Sequence, residues 1–355
     1  MLDTCGLAWG PTGGVGYQLA TGINVLHLAS DLDLVLRAPH PLTRAKALEL
    51  LDILDCAPCR IDVQLETPAG AVALREWAGC ARRVLLKSPL GARLVSDPRL
   101  ARISFTGSVP TAKWIAQSAG ANLVPCSLEL GGKSAFIVLE DADIDNAAAT
   151  GALMYRNAGQ VCLAGTRFLV HEAVHDRFVA ALQAQVERLT VGDPRDEATE
   201  VGPIIHPRQV DRVLGFVDRA VASGARLLWG GTRHPFGAQY LQPTMLTDLK
   251  QDDEIVQNEV FGPVLTLQTF ASDDEAVALA NGTDYGLGGG LWTSNLQRAH
   301  RFAREMKSGM VWINCYKRVN PGSPFGGTGL SGYGREMGFD AMREYTQVKS
   351  VWVNV

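Results

Sequence analysis

A single cysteine lies in a short polar segment whose residue types suit covalent chemistry. Cys162 stands in the middle of "NAGQVCLAGTR", residues 157–167, between two glycines and just ahead of an apolar run. A structural cysteine usually lies inside an apolar segment, and no second cysteine is close enough in sequence for a disulfide or a metal clip. The position of Cys162 therefore favours a catalytic thiol.

Two carboxylates next to glycine turns could assist such a thiol. Glu129 opens "ELGGKS" at the end of a short apolar segment, and Glu259 opens "EVFGPV". A thiol nucleophile needs a base that activates either the thiol or the water of a later step. A glycine-rich loop, "PFGGTGLSGYGREMG", follows near the end of the chain. Each fragment alone is also typical of an ordinary turn, so the prediction depends on their occurring together.

Composition narrows the class of protein. The chain has 355 residues, 46% hydrophobic and 20% charged, with a formal net charge of −4. This mixed and slightly acidic balance indicates a globular protein without nucleic-acid or membrane partners. Residues 6–30 carry no Asp, Glu, Lys or Arg, but they are too rich in Gly, Thr, Gln and Asn for a membrane span. A signal peptide is not expected, because Asp3 occupies the place of a basic segment and no clear cleavage site follows. Seven scattered cysteines suggest free thiols and a cytoplasmic location.

Another cysteine pattern lies earlier in the chain. Cys56 and Cys59 form a CxxC pair, with only Cys80 nearby. A redox pair or half of a zinc site is one interpretation, and packing at the end of a helix is the favoured one, because no second CxxC or HxxxH completes a ligand set. We therefore predict no metal site.

Apolar segments alternate between strand and helix patterns along most of the chain. Thr43 can cap a helix, and Asp141 or Asp143 can cap another after the strand "SAFIVLE". This alternation predicts an α/β architecture with parallel sheets. The remaining predicted strands are "VLLK", "RISFTG", "TRFLVH", "ARLLWGG", "MVWIN" and "KSVWVNV", and the remaining helices lie in "VHDRFVAALQAQVERL", "PRQVDRVLGFVDRAVASG", "DEAVALAN" and "NLQRAHRFAREMKSG".

The ordered motifs resemble one known family. From about residue 95 to residue 355 the chain is similar to the aldehyde dehydrogenase superfamily. The signatures that carry the resemblance are "ISFTGS", "LELGGKS", "DADID", "NAGQVC", "NEVFGPV", "YGLGGGLWT", "GMVWIN", "PFGGTGLSGYGREMG" and "REYTQVKSVWVNV". The resemblance implies oxidation of a small aldehyde with NAD or NADP. Cys162 would be the nucleophile that forms a thiohemiacetal and then a thioester, and Glu129 would be the general base for deacylation.

The same resemblance implies the cofactor-binding residues. Glu259 would hold the nicotinamide ribose, with Phe261 packed beside it. Gly107 and Ser108 would lie under the pyrophosphate, at a helix N-terminus whose N–H groups bind phosphate.

Further cofactor contacts would come from Leu130 and Gly131 in the turn after the base. An ungapped alignment of the upstream segment places Arg37 where the family has a lysine that binds the adenosine ribose or its phosphate. The same alignment places Gly14 where the family has an oxyanion-hole asparagine, a donor that is worth about 3–4 kcal/mol in such sites.

The resemblance also predicts the division of the chain. We expect a partial dinucleotide-binding domain over residues 1–129, a catalytic domain over 130–337, and a return helix with an oligomerisation strand over 338–355. The opening strands of the family's cofactor domain and a hairpin used in oligomerisation have no visible counterpart. The terminal strand would join a homo-oligomer, either a dimer or a tetramer.

Three functional interpretations stay open at this point. The first is an active NAD(P)-dependent aldehyde dehydrogenase. The second is a catalytically impaired family member or truncated product with a structural or interaction role. The third, a thiol hydrolase, would need a histidine base near Cys162, and no histidine motif pairs with it.

Charges in two segments could select the substrate. In the family, the residues just before the nucleophile loop and those before "PFGG" line the substrate funnel. Here these are Tyr155, Arg156, Lys317 and Arg318. The cations could favour an anionic aldehyde such as a semialdehyde, and a solvated loop is the alternative.

Overall fold

The computed structural model describes residues 8–11, 32–38, 42–55, 61–67, 70–75 and 94–354. Contacts divide the chain into two compact units, residues 1–100 and residues 101–355. The predicted α/β class is confirmed, since helices and mainly parallel strands alternate along the second unit.

The described residues of the first unit form a four-stranded sheet and one helix. The sheet has the order β1 (Ala8–Pro11), β2 (Leu32–Arg37), β3 (Ile61–Thr67), β4 (Gly70–Ala73), and α1 spans Arg44–Asp55. β2 and β3 run parallel, as expected for strands joined by a crossover helix. Thr43 caps α1 as predicted, because its hydroxyl accepts from the amide of Lys46 at 3.2 Å. Leu36 and Leu50 are fully buried in this unit's own core.

The second unit is larger and holds most of the predicted elements. Its strands are β5 (Ile103–Thr106), β6 (Cys126–Glu129), β7 (Ala135–Val138), β8 (Arg167–His171), β9 (Arg226–Trp229), β10 (Thr244–Thr247), β11 (Val264–Phe270), β12 (Gly288–Trp292), β13 (Met310–Ile313) and β14 (Gly332–Tyr333). Its helices are α2 (Val109–Gly120), α3 (Ile144–Ala152), α4 (His175–Val186), α5 (Pro207–Ala222), α6 (Glu254–Gln257), α7 (Asp273–Ala280), α8 (Leu296–Glu305) and α9 (Gly338–Glu344). Asp143 caps α3 by accepting from the amide of Asn146.

A seven-stranded sheet forms the centre of this unit. Its order is β13-β12-β7-β8-β11-β10-β9, and every pairing is parallel except that of β9 with β10. The middle strands read as continuous apolar runs because both of their faces are covered. Phe136 stacks on Trp292, with ring centroids 3.9 Å apart, so the core is anchored where β7 meets β12.

A smaller sheet, in the order β14-β6-β5, carries Glu129 at the end of β6. The predicted boundary after Glu129 falls inside the second unit, because β6 pairs with β14 as well as with β5. The functional names given to the three predicted domains stay predictions.

The predicted terminal strand is not formed within one chain. Residues 346–354 belong to no strand, and the exposed fraction of Trp352 is 92%. The reason is physical, since a strand needs a neighbour and this tail has none among the described residues. Its pairing with a second copy stays a prediction. No helix in the described part of the chain is long and apolar enough to span a membrane.

Candidate active site

The turn between β6 and β7 is the centre of the site. Glu129 ends β6, and its backbone is held on both sides, opposite Thr106 in β5 and Gly332 in β14. The Glu129 carbonyl also accepts from the amide of Gly107 at 3.0 Å. The side chain is 4% exposed, and neither carboxylate oxygen has a hydrogen-bond partner among the described residues. A buried carboxyl without partners is available to substrate or water.

Two glycines in this turn bring the other predicted residues together. A Cβ atom on Gly131 would lie 2.0 Å from Oε2 of Glu259, and one on Gly132 would lie 2.6 Å from the carbonyl oxygen of Cys162. The amide of Gly132 also donates to Oε1 of Glu259 at 3.2 Å. The "LGG" turn therefore has Glu129 at its start, Glu259 against its first glycine and the thiol loop against its second. The sequence predicted each of these residues, and the structure brings them together.

The thiol loop has an unusual backbone. Asn157, Ala158 and Gly159 all have positive φ, at 56°, 52° and 67°. Side chains at such angles are disfavoured, so contacts must hold the loop in this form. Gln160 supplies several of them, because its side chain donates to the carbonyls of Asn157 and Pro203 and accepts from the amide of Ile205.

Close approach explains the glycine at the turn of this loop. A Cβ on Gly159 would lie 2.1 Å from the carbonyl oxygen of Gly262, which belongs to the "EVFGP" segment. The thiol loop and the Glu259 segment are therefore packed backbone to backbone.

Half-buried Cys162 lies between opposing electrostatic influences. Burial raises the pKa of its thiol, and the nearby carboxylates Glu259 and Glu129 raise it further. The amides of Leu163 and of Cys162 itself lower the thiol pKa by hydrogen bonding to the sulfur. The balance leaves the pKa above its ordinary value, so the thiol is protonated at neutral pH and needs a base.

Glu129 has the electrostatic properties of such a base. Burial raises its pKa to about 8, with a further rise from Glu336 and an opposing effect from Arg335. The loop that carries these two residues is closed by paired backbone hydrogen bonds between Phe325 and Glu336. A Cβ on Gly326 in this loop would lie 2.7 Å from Oε1 of Glu129, so glycine leaves room for the carboxylate.

The Glu259 segment is anchored by α5. Arg212 donates to the carbonyls of Glu259 and Val260, and Gln209 donates to those of Val260 and Phe261. Phe261 has a φ of 55°, a strained angle that these contacts support. Burial raises the pKa of Glu259, while the Gly132 amide and Lys133 lower it.

The predicted phosphate-binding turn, Gly107–Ser108, follows the end of β5, next to the end of β6. Ser108 caps α2 by position, although its hydroxyl contacts that of Thr111 at 3.0 Å and makes no capping bond. Gly107 and Ser108 are exposed, and the amide of Gly107 ties them to Glu129. Leu130 is buried, and its amide donates to the carbonyl of Ser331.

Several predicted residues lie away from the turn between β6 and β7 or outside the residues that the structure describes. Gly14, Cys56, Cys59 and Cys80 lie outside the described residues. Arg37 is exposed on β2 of the first unit, so its proposed cofactor contact stays a prediction. The expectation that Tyr155 lines a substrate funnel is wrong, because its ring is fully buried and its hydroxyl donates to the carbonyl of Thr244.

Sequence reasoning missed two buried cations below the turn. Lys133 is 2% exposed, and its ammonium has no hydrogen-bond partner among the described residues. Burial lowers its pKa to about 7, with Arg167 lowering it further and Glu259 opposing both. Arg167 is satisfied by the carbonyls of Lys133, Leu279 and Ala280. A lysine two residues before the unbroken apolar strand "AFIV" was the available signal.

Comparison with known proteins assigns the family. The model described as "Aldehyde dehydrogenase family" matches residues 79–351, most of the chain. The chain belongs to the aldehyde dehydrogenase family. A betaine aldehyde dehydrogenase of Cereibacter sphaeroides is 40% identical over 299 residues, covering 81% of this chain and 62% of the relative. A (Z)-2-((N-methylformamido)methylene)-5-hydroxybutyrolactone dehydrogenase of Acinetobacter baylyi is 40% identical, covering 96% and 65%.

Solved structures agree with this assignment. PnpE in complex with nicotinamide adenine dinucleotide is 47% identical with a TM-score of 0.72, covering 75% of this chain and 55% of its own. The NAD+ complex of an aldehyde dehydrogenase from Bacillus cereus is 40% identical with a TM-score of 0.72, covering 75% and 54%. This aldehyde dehydrogenase family chain therefore spans less than two thirds of the length of these relatives.

The first unit matches a second model. Residues 1–98 match "Phosphoribosyl-dephospho-CoA transferase MdcG C-terminal domain", and the end of this match lies close to the division after Leu100. The alignment with the Acinetobacter baylyi relative also extends into this unit, so the two comparisons differ there. The partial dinucleotide-binding domain and the roles of Gly14 and Arg37 therefore stay predictions.

Proposed function

We propose that this chain oxidises an aldehyde to a carboxylic acid with NAD or NADP, through a thioester on Cys162. The observation that carries the proposal is the "LGG" turn, at which the Cys162 loop, Glu259 and Glu129 meet. Membership of the aldehyde dehydrogenase family supports it. The relatives named above are dehydrogenases, and the chain spans 62–65% of their length.

The residues suggest a role for each side chain. Cys162 adds to the aldehyde carbon, and its proton leaves with water or with Glu129 as the new C–S bond forms. The carbonyl oxygen gains negative charge, and the backbone N–H of Cys162 is a suitable donor to it. Loss of hydride from this carbon leaves a thioester.

Deacylation is the natural task of Glu129. Water adds to the thioester carbon while Glu129 removes its proton, and the C–S bond breaks to release the acid and the Cys162 thiolate. The pKa of about 8 for Glu129 lies close to working pH, where a general base is most effective. Its oxygens have no competing partner among the described residues.

The residues present also fit a dinucleotide. Glu259 offers a carboxylate against Gly131, where a larger residue would displace it, and this suits ribose hydroxyls. The exposed N-terminus of α2, at Gly107 and Ser108, suits a phosphate. The nicotinamide, when bound, supplies the hydride acceptor. We expect NAD first, because NAD is the cofactor in the solved relatives named above.

A titration of the purified chain with NAD and with NADP, followed by intrinsic fluorescence, tests the cofactor half of the proposal. Saturable binding of either cofactor, followed by aldehyde-dependent NADH or NADPH production, supports the enzyme. Binding of neither cofactor by a folded chain would contradict it.

The second candidate is a family member without turnover that serves a structural or interaction role. It is favoured by the second model matched over residues 1–98. A chain that is folded, carries a reactive Cys162 and binds no cofactor would support this candidate. Assembly through residues 348–355 and a cytoplasmic location also stay predictions.

A further inference from the structure

A small cavity adjoins the "LGG" turn, and the side chains around it carry an excess of positive charge. Its volume is about 10 Å³, which is room for one water molecule or an ion of similar size. The charged residues that line it are Lys133, Arg167 and Lys307, and no Asp or Glu among the described residues belongs to its lining. A cavity with such walls attracts an anion and repels a cation.

Two buried polar side chains in this lining lack partners. Lys133 is 2% exposed and Ser134 is 4% exposed. The described residues offer no hydrogen-bond partner to the ammonium of Lys133 or to the hydroxyl of Ser134. An unpaired polar group in the interior costs free energy, so buried polar atoms normally bind a protein group, a water molecule or an ion. A ligand in the cavity would supply that partner to both side chains.

A second buried cation adds to the positive charge. Arg167 is 1% exposed, and its guanidinium donates to the carbonyls of Lys133, Leu279 and Ala280. These carbonyls satisfy its donors but carry no net charge. Burial lowers the pKa of Arg167 to about 10, so the guanidinium stays protonated at neutral pH. The lining therefore contains two buried positive charges.

Glu259 compensates this charge only in part. Its carboxylate raises the pKa of Lys133, but the opposing effect of burial is larger and lowers that pKa to about 7. Glu259 does not line the cavity, and its Oε1 accepts from the amide of Gly132 at 3.2 Å. The ammonium of Lys133 therefore still lacks a direct anionic partner.

We propose that this cavity binds one small monovalent inorganic anion, such as chloride, between the ammonium of Lys133 and the hydroxyl of Ser134. The ammonium supplies the charge, and the hydroxyl donates a hydrogen bond. Larger oxyanions such as phosphate do not fit the volume. Lys307 is exposed, so its charge favours entry of an anion from solvent. The site goes beyond the proposed function, in which none of its lining residues has a role.

A water molecule beside a neutral Lys133 is the competing occupant. A pKa of about 7 leaves the amine largely uncharged at pH 8, where one water molecule would partner both side chains. At pH 6 the side chain of Lys133 is charged, and only an anion neutralises it. The two occupants are therefore distinguished at pH 6.

The first test locates bromide, a chloride substitute, in a crystal of the full chain soaked in sodium bromide at pH 6. We expect an anomalous-scattering peak within contact distance of Lys133 Nζ and Ser134 Oγ. Density in the cavity without an anomalous signal would identify water and overturn the proposal.

The second test measures thermal unfolding of the full chain at pH 6 in sodium bromide and in sodium glutamate of equal ionic strength. With saturating bromide, the difference in Tm between the salts should favour bromide by about 2–4 °C more in the unsubstituted chain than in Lys133→Met. Ser134→Ala, a smaller change, should weaken bromide affinity about tenfold, through loss of a hydrogen bond to a charged ligand. Lys250→Met, at an exposed lysine outside the cavity, controls for net charge.

The comparison between chains removes the general effects of the two salts. If Lys133→Met does not fold, Ser134→Ala decides the outcome alone. The same difference between the salts in the unsubstituted chain and in the folded cavity variants would overturn the proposal, as would an equal loss in Lys250→Met. An anomalous peak without any effect on unfolding would show binding at crystal concentration only, and it would overturn the proposal too.

Discussion

The two sheets of the second unit differ in how completely they are covered. In the seven-stranded sheet, β7 and β12 are buried at every position, and helices cover both faces. In the three-stranded sheet, β5 alternates between half-buried and exposed residues. Trp114 on α2 and Leu123 after it are 46% and 90% exposed. Cys162 leads into the seven-stranded sheet, whereas Glu129 ends β6, the buried middle strand of the smaller sheet, next to the partly exposed β5.

This difference separates the chemistry of the thiol from the binding of the cofactor. The thiol loop is fixed by a core that this unit supplies itself, so reactivity at Cys162 should not depend on a cofactor. Of the proposed cofactor contacts, Gly107 and Ser108 lie at the exposed end of β5, whereas Glu259 lies against the "LGG" turn. The two properties should therefore respond to different substitutions.

The largest effect is expected at the nucleophile. Cys162→Ala should lower aldehyde oxidation by about 10⁴-fold or more, because no covalent intermediate can form.

Iodoacetamide at limiting dose should label Cys162 ahead of Cys126 and Cys315, which are the other free thiols among the described residues. Peptide mass spectrometry measures this, and preferential labelling of any other cysteine would count against the assignment.

Substitution of Glu129 should slow deacylation more than the first hydride transfer. Glu129→Gln should slow steady-state turnover by about 10²-fold to 10⁴-fold, the usual contribution of a general base. The first turnover should be less affected, so the NADH burst should persist. If Glu129 were only a turn residue, the variant would lower the unfolding temperature and leave the ratio of burst to steady rate unchanged.

Activity should also depend on pH through the carboxyl group of Glu129. The pKa of about 8 means that Glu129 gains its basic form as pH rises through 8, so steady turnover should rise over that range. The effect on stability has the opposite sign, because an unfolded glutamate loses its proton near pH 4.3 and the folded one keeps it until about 8. Folding stability should therefore fall across that interval, and Glu129→Gln should flatten both profiles.

The smallest effects, and the sharpest comparison, come from the two glycines. In Gly132→Ala the new Cβ meets the backbone of Cys162, so the thiol loop must shift, at a cost of about 1–3 kcal/mol in unfolding free energy. In Gly131→Ala the new Cβ meets the carboxylate of Glu259, a flexible side-chain end that can rotate away. Alkylation kinetics should fall only in the first variant, and cofactor affinity should fall about tenfold in the second, through loss of a charged hydrogen bond. If each variant changed alkylation kinetics and cofactor affinity equally, the thiol chemistry and the cofactor binding would not be separate.

Local patterns predicted much of the fold. The caps at Thr43 and Asp143 and the helix that ends before Gly224 follow from rules that act within a few residues. The terminal strand was not formed, because strand formation depends on a partner that local sequence does not reveal. The pairing of β6 with β14 was not foreseeable for a similar reason, since it joins residues far apart in the chain.

The site was predictable as a set of residues and not as a geometry. Motif order indicated Cys162, Glu129 and Glu259 as candidates. No local pattern shows that Gly131 lies against Glu259 and Gly132 against the backbone of Cys162. The burial of Tyr155 was also beyond local patterns, because it depends on tertiary packing. Charge in a sequence segment does not reveal which cation a carboxylate has already neutralised.

The most direct test of the central claim is a stopped-flow measurement of NADH formation on mixing the NAD-saturated chain with an aldehyde. We expect a burst of NADH stoichiometric with alkylatable Cys162, followed by a slower steady phase that Glu129→Gln suppresses selectively. A chain that binds NAD and alkylates at Cys162, but gives neither burst nor turnover with anionic or neutral aldehydes, would contradict it.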